Sequence, residues 1–282
     1  MEKYNLNISI VGLGVIGGSF AYKLKKLDIK NVWGIDKNQE TLLKARKNNM
    51  IDEGFTEPEY PLSISDIVIM AIYPRSTAEF ISKYMSVLKP GTIIMDTSGI
   101  KRSIVKEVQS FIRKDIDYIG GHPMAGNEGK GVDSASETLF DGANFLLTPS
   151  SINKEKNIRI IESLLKSVGF GKISKVSPEK HDKLIGYTSQ LPHLIAASLI
   201  NCNKEKDVLR FTGNSFGEFT RIAKMNAPLW SQLIMDNRDQ LLPLIDAFMD
   251  EMVDLRKALS SQNIKNLESI FSVCTKKKEE MK

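Results

Sequence analysis

His122 lies in the stretch YIGGHPMAGNEGKG, residues 118–131, directly after an apolar run, and is one of only three histidines in the chain. An imidazole changes charge near neutral pH, so at the end of a buried strand it is suited to general acid–base work. The flanking glycines read as room left for a ligand ring and a second reactant. A second constellation lies near the N-terminus, where ISIVGLGVIGGSF contains Gly12-Leu13-Gly14-Val15-Ile16-Gly17. A glycine triad of this spacing, between a strand and a helix, suits a pyrophosphate. Gly12 permits the tight turn, Gly14 lets the backbone approach the phosphates, and Gly17 allows close helix–strand packing. The helix N-terminus adds free N–H groups and a positive dipole. Asp36, at the end of the next apolar run in WGIDKN, stands at the distance where an acid takes the adenosine ribose hydroxyls. A carboxylate there would repel a 2′-phosphate, which favours NAD over NADP, although Lys37 is adjacent.

Both constellations need a scaffold that brings strand ends to one edge. Short Ile- and Val-rich runs at 7–12, 31–36, 66–72, 92–98, 117–123 and 144–150 read as strands, and segments 15–27, 39–48, 75–88 and 101–113 read as helices. Continuous apolar strands suit a parallel sheet covered on both faces, and the alternation predicts a doubly wound α/β fold with ligands beyond the carboxyl ends of its strands. After about residue 175 the pattern changes. Ser177 and Pro178 have the form of an N-cap and first helical turn, and 178–202, 214–225, 228–259 and 262–277 read as helices with no convincing strand. The fold class expected is therefore α/β, with an N-terminal Rossmann-type doubly wound sheet over 1–175 and an all-α domain over 176–282. Leu241, Leu242, Leu244, Ile245 and Phe248 exceed what one short bundle needs, which points to burial against a second copy of the chain.

Composition narrows the partners. A net charge of +5 with basic residues interleaved among acids does not match a nucleic-acid binder, though it can help draw in an anion. Cys202 and Cys274 are isolated, so they form neither a disulfide framework nor a zinc cluster, and a reducing cytoplasm is the natural setting. No apolar run approaches the roughly 20 residues that span a bilayer, and the start of the chain lacks a signal-peptide pattern.

VGLGVIGGS, DTSGIK, GGHPMAG, SQLPH and FTRIAKMNAPLW, in this order along nearly the whole chain, together resemble the TyrA family of prephenate and arogenate dehydrogenases. The resemblance implies NAD-dependent oxidative decarboxylation of prephenate to 4-hydroxyphenylpyruvate, and a homodimer built through the helical domain. It implies that His122 is the catalytic histidine, accepting a hydrogen bond from the ring hydroxyl while hydride leaves the same carbon. Arg221, which alone would read as a surface charge, matches an arginine that grips a substrate carboxylate. His193 matches a position with polar substrate contacts. Trp230 resembles a tryptophan inserted by the partner subunit, against a plain core-packing role. Glu128 stands either as a loop-closing acid or as a solvated one, and His181 lies at a helix entry where packing or capping is an equal reading. Where many relatives carry a serine in GSVK, this chain has Gly99. Ser98 either reaches the same space or caps the helix that starts near Lys101. Gln190 replaces a histidine of some relatives. Arogenate dehydrogenase is the nearest alternative. A dehydrogenase of the 3-hydroxyacid type would need a catalytic lysine in the helical half, and a non-enzymatic dinucleotide sensor would need only Gly12, Gly14, Gly17 and Asp36.

Overall fold

The computed structural model describes residues 4–127 and 129–281. Alternate residues of the first apolar runs point to opposite sides of one sheet. Ile8, Ile10, Ile67, Ile69, Ile93 and Met95 enter one core, whereas Val11, Val68, Met70 and Ile94 enter the other. Covering both faces removes the polar side that a half-exposed strand would show, which is why these strands read as continuous apolar runs. The strands are β1 (Tyr4–Val11), β2 (Ile29–Ile35), β3 (Glu53–Phe55), β4 (Ile67–Met70), β5 (Ile93–Asp96), β6 (Asp117–Pro123), β7 (Asn144–Thr148) and β8 (Lys172–Lys175), ordered 3-2-1-4-5-6-7-8 in one sheet. Helices α1 (Val15–Lys25), α2 (Gln39–Lys47), α3 (Glu59–Ile64), α4 (Pro74–Tyr84), α5 (Arg102–Phe111) and α6 (Glu155–Val168) flank it. Phe20 and Leu24 of α1 and Ile161 and Leu165 of α6 fill the first core; Ala78 and Ile81 of α4 and Ile104 and Val108 of α5 fill the second.

Strands β1 to β6 pair in parallel, as expected, but β7 runs antiparallel to β6, with His122 opposite Leu146. A parallel return needs a crossover, usually a helix. Between β6 and β7 the described chain has only a short 3-10 turn at Val132–Ser134, so it comes back the other way. β3 and β8 were not foreseen. They are short edge strands with no fully buried residue, and so carry no apolar run to read.

From Pro178 onward the described residues form helices α7 (Pro178–Ile185), α8 (Leu191–Cys202), α9 (Asn214–Thr220), α10 (Ala227–Asp236), α11 (Arg238–Ser260) and α12 (Ile264–Glu280). Gly186–Gln190 makes a π-turn between α7 and α8. Pro192 lacks an N–H and would clash with the carbonyl four residues back in a regular helix, and the wider turn just before it relieves that conflict. The single helix expected over 228–259 is two, broken at Asn237, whose buried side chain is committed elsewhere (below).

Candidate active site

The glycine loop joins β1 to α1. Gly12 adopts φ +89°, and a Cβ on it would collide with Ile72 and the Ala71 carbonyl. One on Gly17 would lie 1.9 Å from the Gly12 carbonyl oxygen, whereas one on Gly14 would meet nothing within 4 Å. Two glycines thus serve the close approach of helix and strand, and the third faces open space. Leu13 gives its N–H to Asp36 Oδ2 at 2.9 Å and Asn38 gives its N–H to Asp36 Oδ1 at 2.9 Å. These bonds aim the carboxylate along the strand edge, with lone pairs left for hydroxyl donors. Val15 and Ile16 stand in the first turn of α1, whose leading N–H groups have no intrahelical acceptor. The open space at Gly14, these donors and the Asp36 acceptor fit the phosphates and ribose of a dinucleotide.

Two and three strands along the same edge, β5 and β6 end in a dense polar cluster. Asp96 and Lys101 are both fully buried and ion-paired. Asp96 also accepts the N–H of Ser98 at 2.9 Å and that of Gly121 at 3.1 Å. The glycines before His122 therefore do not leave room for a ligand. A Cβ on Gly120 would lie 2.2 Å from Thr148 Oγ1, and one on Gly121 would press on the Asp96 carbonyl and the Phe145 ring at 2.7 Å. They are small because the protein itself fills the space.

His122 is partly buried on β6, and a Cβ added at Gly99 would stand 3.6 Å from its Nε2 and 3.4 Å from Leu233 of α10. Burial, and next the neighbouring His181 and Lys101, hold its imidazole well below the usual 6.5. It is thus a neutral base. Its Nδ1 lies 2.9 Å from His181 Nε2, and His181 Nδ1 lies 2.7 Å from Asp182 Oδ1. His181 and Asp182 are fully buried. Asp182 also accepts the N–H groups of Lys101 and Arg102, each at 2.9 Å, and so caps α5 from the helical half of the chain. Ser98 does not cap that helix. Its hydroxyl is buried and has no hydrogen-bond partner among the described residues, and such an orphan one residue before Gly99 is a ready contact for a ligand.

Across from this cluster, Leu233 and Trp230 are three residues apart and share a face of α10. Trp230 stacks on His193 of its own chain, with ring centroids 3.8 Å apart and an interplanar angle of 30°. His193 Nδ1 lies 2.8 Å from the Ser189 carbonyl one turn back, so Nδ1 donates and Nε2 is left as an acceptor. Its imidazole is held low by burial, opposed by that carbonyl, with the positive charge of Arg221 adding to the lowering. Arg221, in the 3-10 turn after α9, is exposed and close enough for this effect. Gly99 and Leu233 thus stand between His122 and a set of groups formed by Trp230, His193 and Arg221.

Gln190 does not join it. Its side chain is buried, its Oε1 accepts from Asn237 Nδ2 at 2.7 Å, and its Nε2 donates to the Leu233 carbonyl at 3.3 Å. With both amide ends occupied, it braces the π-turn against α10. Glu128 lies outside the described residues. The residues that sequence reasoning passed over are Asp96, Lys101 and Asp182. Their one signal was position, since DTSGIK and EKHDKL flank the strand end and the helix entry that meet here. Among the described residues there is no group of three or more His, Cys, Asp or Glu arranged to hold a metal.

Residues 20–174 match the family model described as prephenate dehydrogenase, nucleotide-binding domain, and residues 177–273 match prephenate dehydrogenase, dimerization domain. A prephenate dehydrogenase of Bacillus subtilis strain 168 is 29% identical over 278 residues, covering 96% of this chain and 75% of that protein. A cyclohexadienyl dehydrogenase of Zymomonas mobilis is 31% identical over 265 residues, covering 91% and 89%. The crystal structure of prephenate dehydrogenase from A. aeolicus in complex with hydroxyphenyl propionate and NAD+ aligns with a TM-score of 0.87 at 28% identity, covering 99% of each chain.

Proposed function

The chain belongs to the prephenate dehydrogenase family, and we propose that it converts prephenate to 4-hydroxyphenylpyruvate by NAD-dependent oxidative decarboxylation, a step toward tyrosine. The observation that supports this reading is a histidine held neutral by burial at the strand edge that also bears the nucleotide loop, backed by His181 and Asp182 from the helical half. In this reading residues 1–175 hold the cofactor, and residues 176–282 supply the substrate contacts and the surface of a homodimer. Gly12 to Gly17 and Asp36 hold NAD, which when bound takes the hydride from the ring carbon that carries the hydroxyl.

His122 Nε2 accepts the hydrogen bond of that hydroxyl. The hydroxyl becomes more acidic as its carbon is oxidised, so the bond strengthens toward the transition state and lowers the barrier. The proton returns to the phenolic oxygen when carbon dioxide leaves and the ring becomes aromatic, so no net proton is consumed. Arg221 holds the side-chain carboxylate, the one that stays, through its planar two-pronged guanidinium. Binding the departing carboxylate as tightly would oppose its release. The orphan Ser98 hydroxyl orients the ligand beside His122, while His193 and Trp230 form a polar and an aromatic wall. Two exposed free thiols, Cys202 and Cys274, suit a cytoplasmic setting. Among the described residues no helix is long and apolar enough to cross a membrane.

The test follows NADH formation by the purified protein with prephenate and with arogenate, in wild type and His122→Asn. Prephenate turnover is expected, with kcat in the variant lower by about 10²–10⁴-fold and NAD affinity unchanged. Turnover of arogenate alone would keep the chemistry and change the substrate. NAD binding without turnover of either would overturn the proposal and leave a dinucleotide sensor.

A further inference from the structure

We propose that His181 and Asp182 form a positioning relay behind His122, which keeps the proton of its neutral ring on Nδ1 and leaves Nε2 as the bare acceptor.

The tautomers follow from the donors and acceptors present. The Asp182 carboxylate meets the N–H groups of Lys101 and Arg102 and the ring nitrogen Nδ1 of His181. Two of them can only donate, so the carboxylate acts as an acceptor at the N-terminus of α5, where negative charge is favoured. His181 Nδ1 must then be the donor. His181 is itself held neutral, chiefly by burial and against the pull of Asp182, so its Nε2 carries a lone pair. That lone pair lies 2.9 Å from His122 Nδ1, which must donate to it. The opposite tautomer of His122 would set two lone pairs against each other at that distance and leave buried polar atoms unsatisfied. Only one arrangement satisfies every atom, and in it Nε2 faces the space beside Gly99.

The relay also acts during the reaction. When Nε2 gains positive character, the Nδ1–H bond to His181 strengthens, and Asp182 lies at its far end as fixed negative charge. Such a preorganised dipole chain stabilises the transition state without reorganising. Asp182 is also the cap of α5, so the relay is aligned only when the helical half is docked on the sheet. The charged groups around it are Asp96 and Lys101 at the β5–α5 junction, Arg102 at the start of α5 and Asp182 on α7. Of these, Lys101 disfavours a charged His122.

The inference rests on the function proposed above only for its kinetic arm; its first arm needs no substrate. In the full-length protein labelled with 15N-histidine, and assigned with His122→Asn, the Nδ1 resonance of His122 should be that of a protonated nitrogen and Nε2 that of a bare one. This pattern should persist from pH 8 to below the usual histidine pKa of about 6.5. His181→Phe should give a mixture of His122 tautomers and lower kcat by roughly 10–10²-fold, the range for losing a residue that orients another, with KM and NAD affinity unchanged. His181→Gln, whose amide oxygen can accept from Nδ1–H, should recover part of the loss. A wild-type His122 protonated on Nε2 would overturn the relay, as would a folded His181→Phe protein with the wild-type tautomer and kcat. If the tautomer is as stated but no cyclohexadienyl substrate turns over, the relay stands and the proposed function falls.

Discussion

At the scale of single residues, the site is a set of groups whose surroundings have fixed their chemistry. Ser98 is the exception, since its hydroxyl is buried without a hydrogen-bond partner among the described residues. Removing an unpaired buried hydroxyl relieves a desolvation cost, so Ser98→Ala should leave stability unchanged or raise it by up to about 1 kcal/mol. If the hydroxyl contacts the ligand, kcat/KM should fall by about tenfold, the loss of one neutral hydrogen bond of about 1.4 kcal/mol. Thermal denaturation read beside steady-state kinetics separates the two, and a variant as active as wild type would take Ser98 out of the site. This residue also marks how far the sequence could be read. Gly12, Gly14, Gly17, Asp36 and His122 were legible because motif spacing implies a local backbone path. Asp182 was not, because the N–H groups it caps lie about eighty positions away, and no local pattern records a contact of that span. Gly120 and Gly121 were read as space for a ligand because a missing side chain looks the same whether a ligand or Thr148 and Phe145 fill the gap.

At the scale of elements, the first half was legible almost strand by strand because burial on both faces imposes an apolar run. The direction of β7 was not, because direction is set by what lies between strands rather than by the strands themselves. The break between α10 and α11 is a similar case. The periodicity from Pro228 to Leu259 continues across Asn237, but its side chain is fully buried and gives Nδ2 hydrogens to the Asp182 carbonyl at 2.9 Å and to Gln190 Oε1 at 2.7 Å. One amide thus joins α7, the π-turn and α11, next to the carboxylate that caps α5. Asn237→Ala should strand the Gln190 oxygen and cost roughly 1–3 kcal/mol, which is large against a typical total of about 5–15 kcal/mol. Chemical denaturation should show this as a lower midpoint with an unchanged slope. A midpoint equal to wild type would mean that the bridge holds nothing the helices do not already hold.

At the scale of the whole molecule, the two halves differ in how much they bury. The sheet half encloses two apolar cores, whereas α11, 23 residues long, buries only Leu241 and Ala258, and α12 buries no residue. Leu242, Met249, Met252 and Val253 on α11 and Phe271 on α12 remain half or more exposed, or nearly so. On α11 they recur at helical spacing as one stripe, and an exposed apolar stripe of that length marks an interaction surface. A second copy is the partner that fits, given the dimerization-domain match across 177–273 and the self-complementary interface that a two-fold axis allows. Sedimentation should therefore give twice the 31.6 kDa of one chain. Charges on the stripe, Met252→Asp with Phe271→Asp, would have to be desolvated in such an interface and should shift the protein to monomer. The glycine loop, Asp36 and His122 lie in the sheet half, and His193 already stacks on its own chain's Trp230. The monomeric variant should therefore still bind NAD with wild-type affinity, while losing stability that the helical half draws from its partner. A wild-type chain that sediments as a monomer at micromolar concentration would overturn this assignment of the helical half. A dimeric variant would move the interface to another face. Loss of NAD binding on dissociation would mean that the sheet half depends on the partner in a way its own two cores do not suggest.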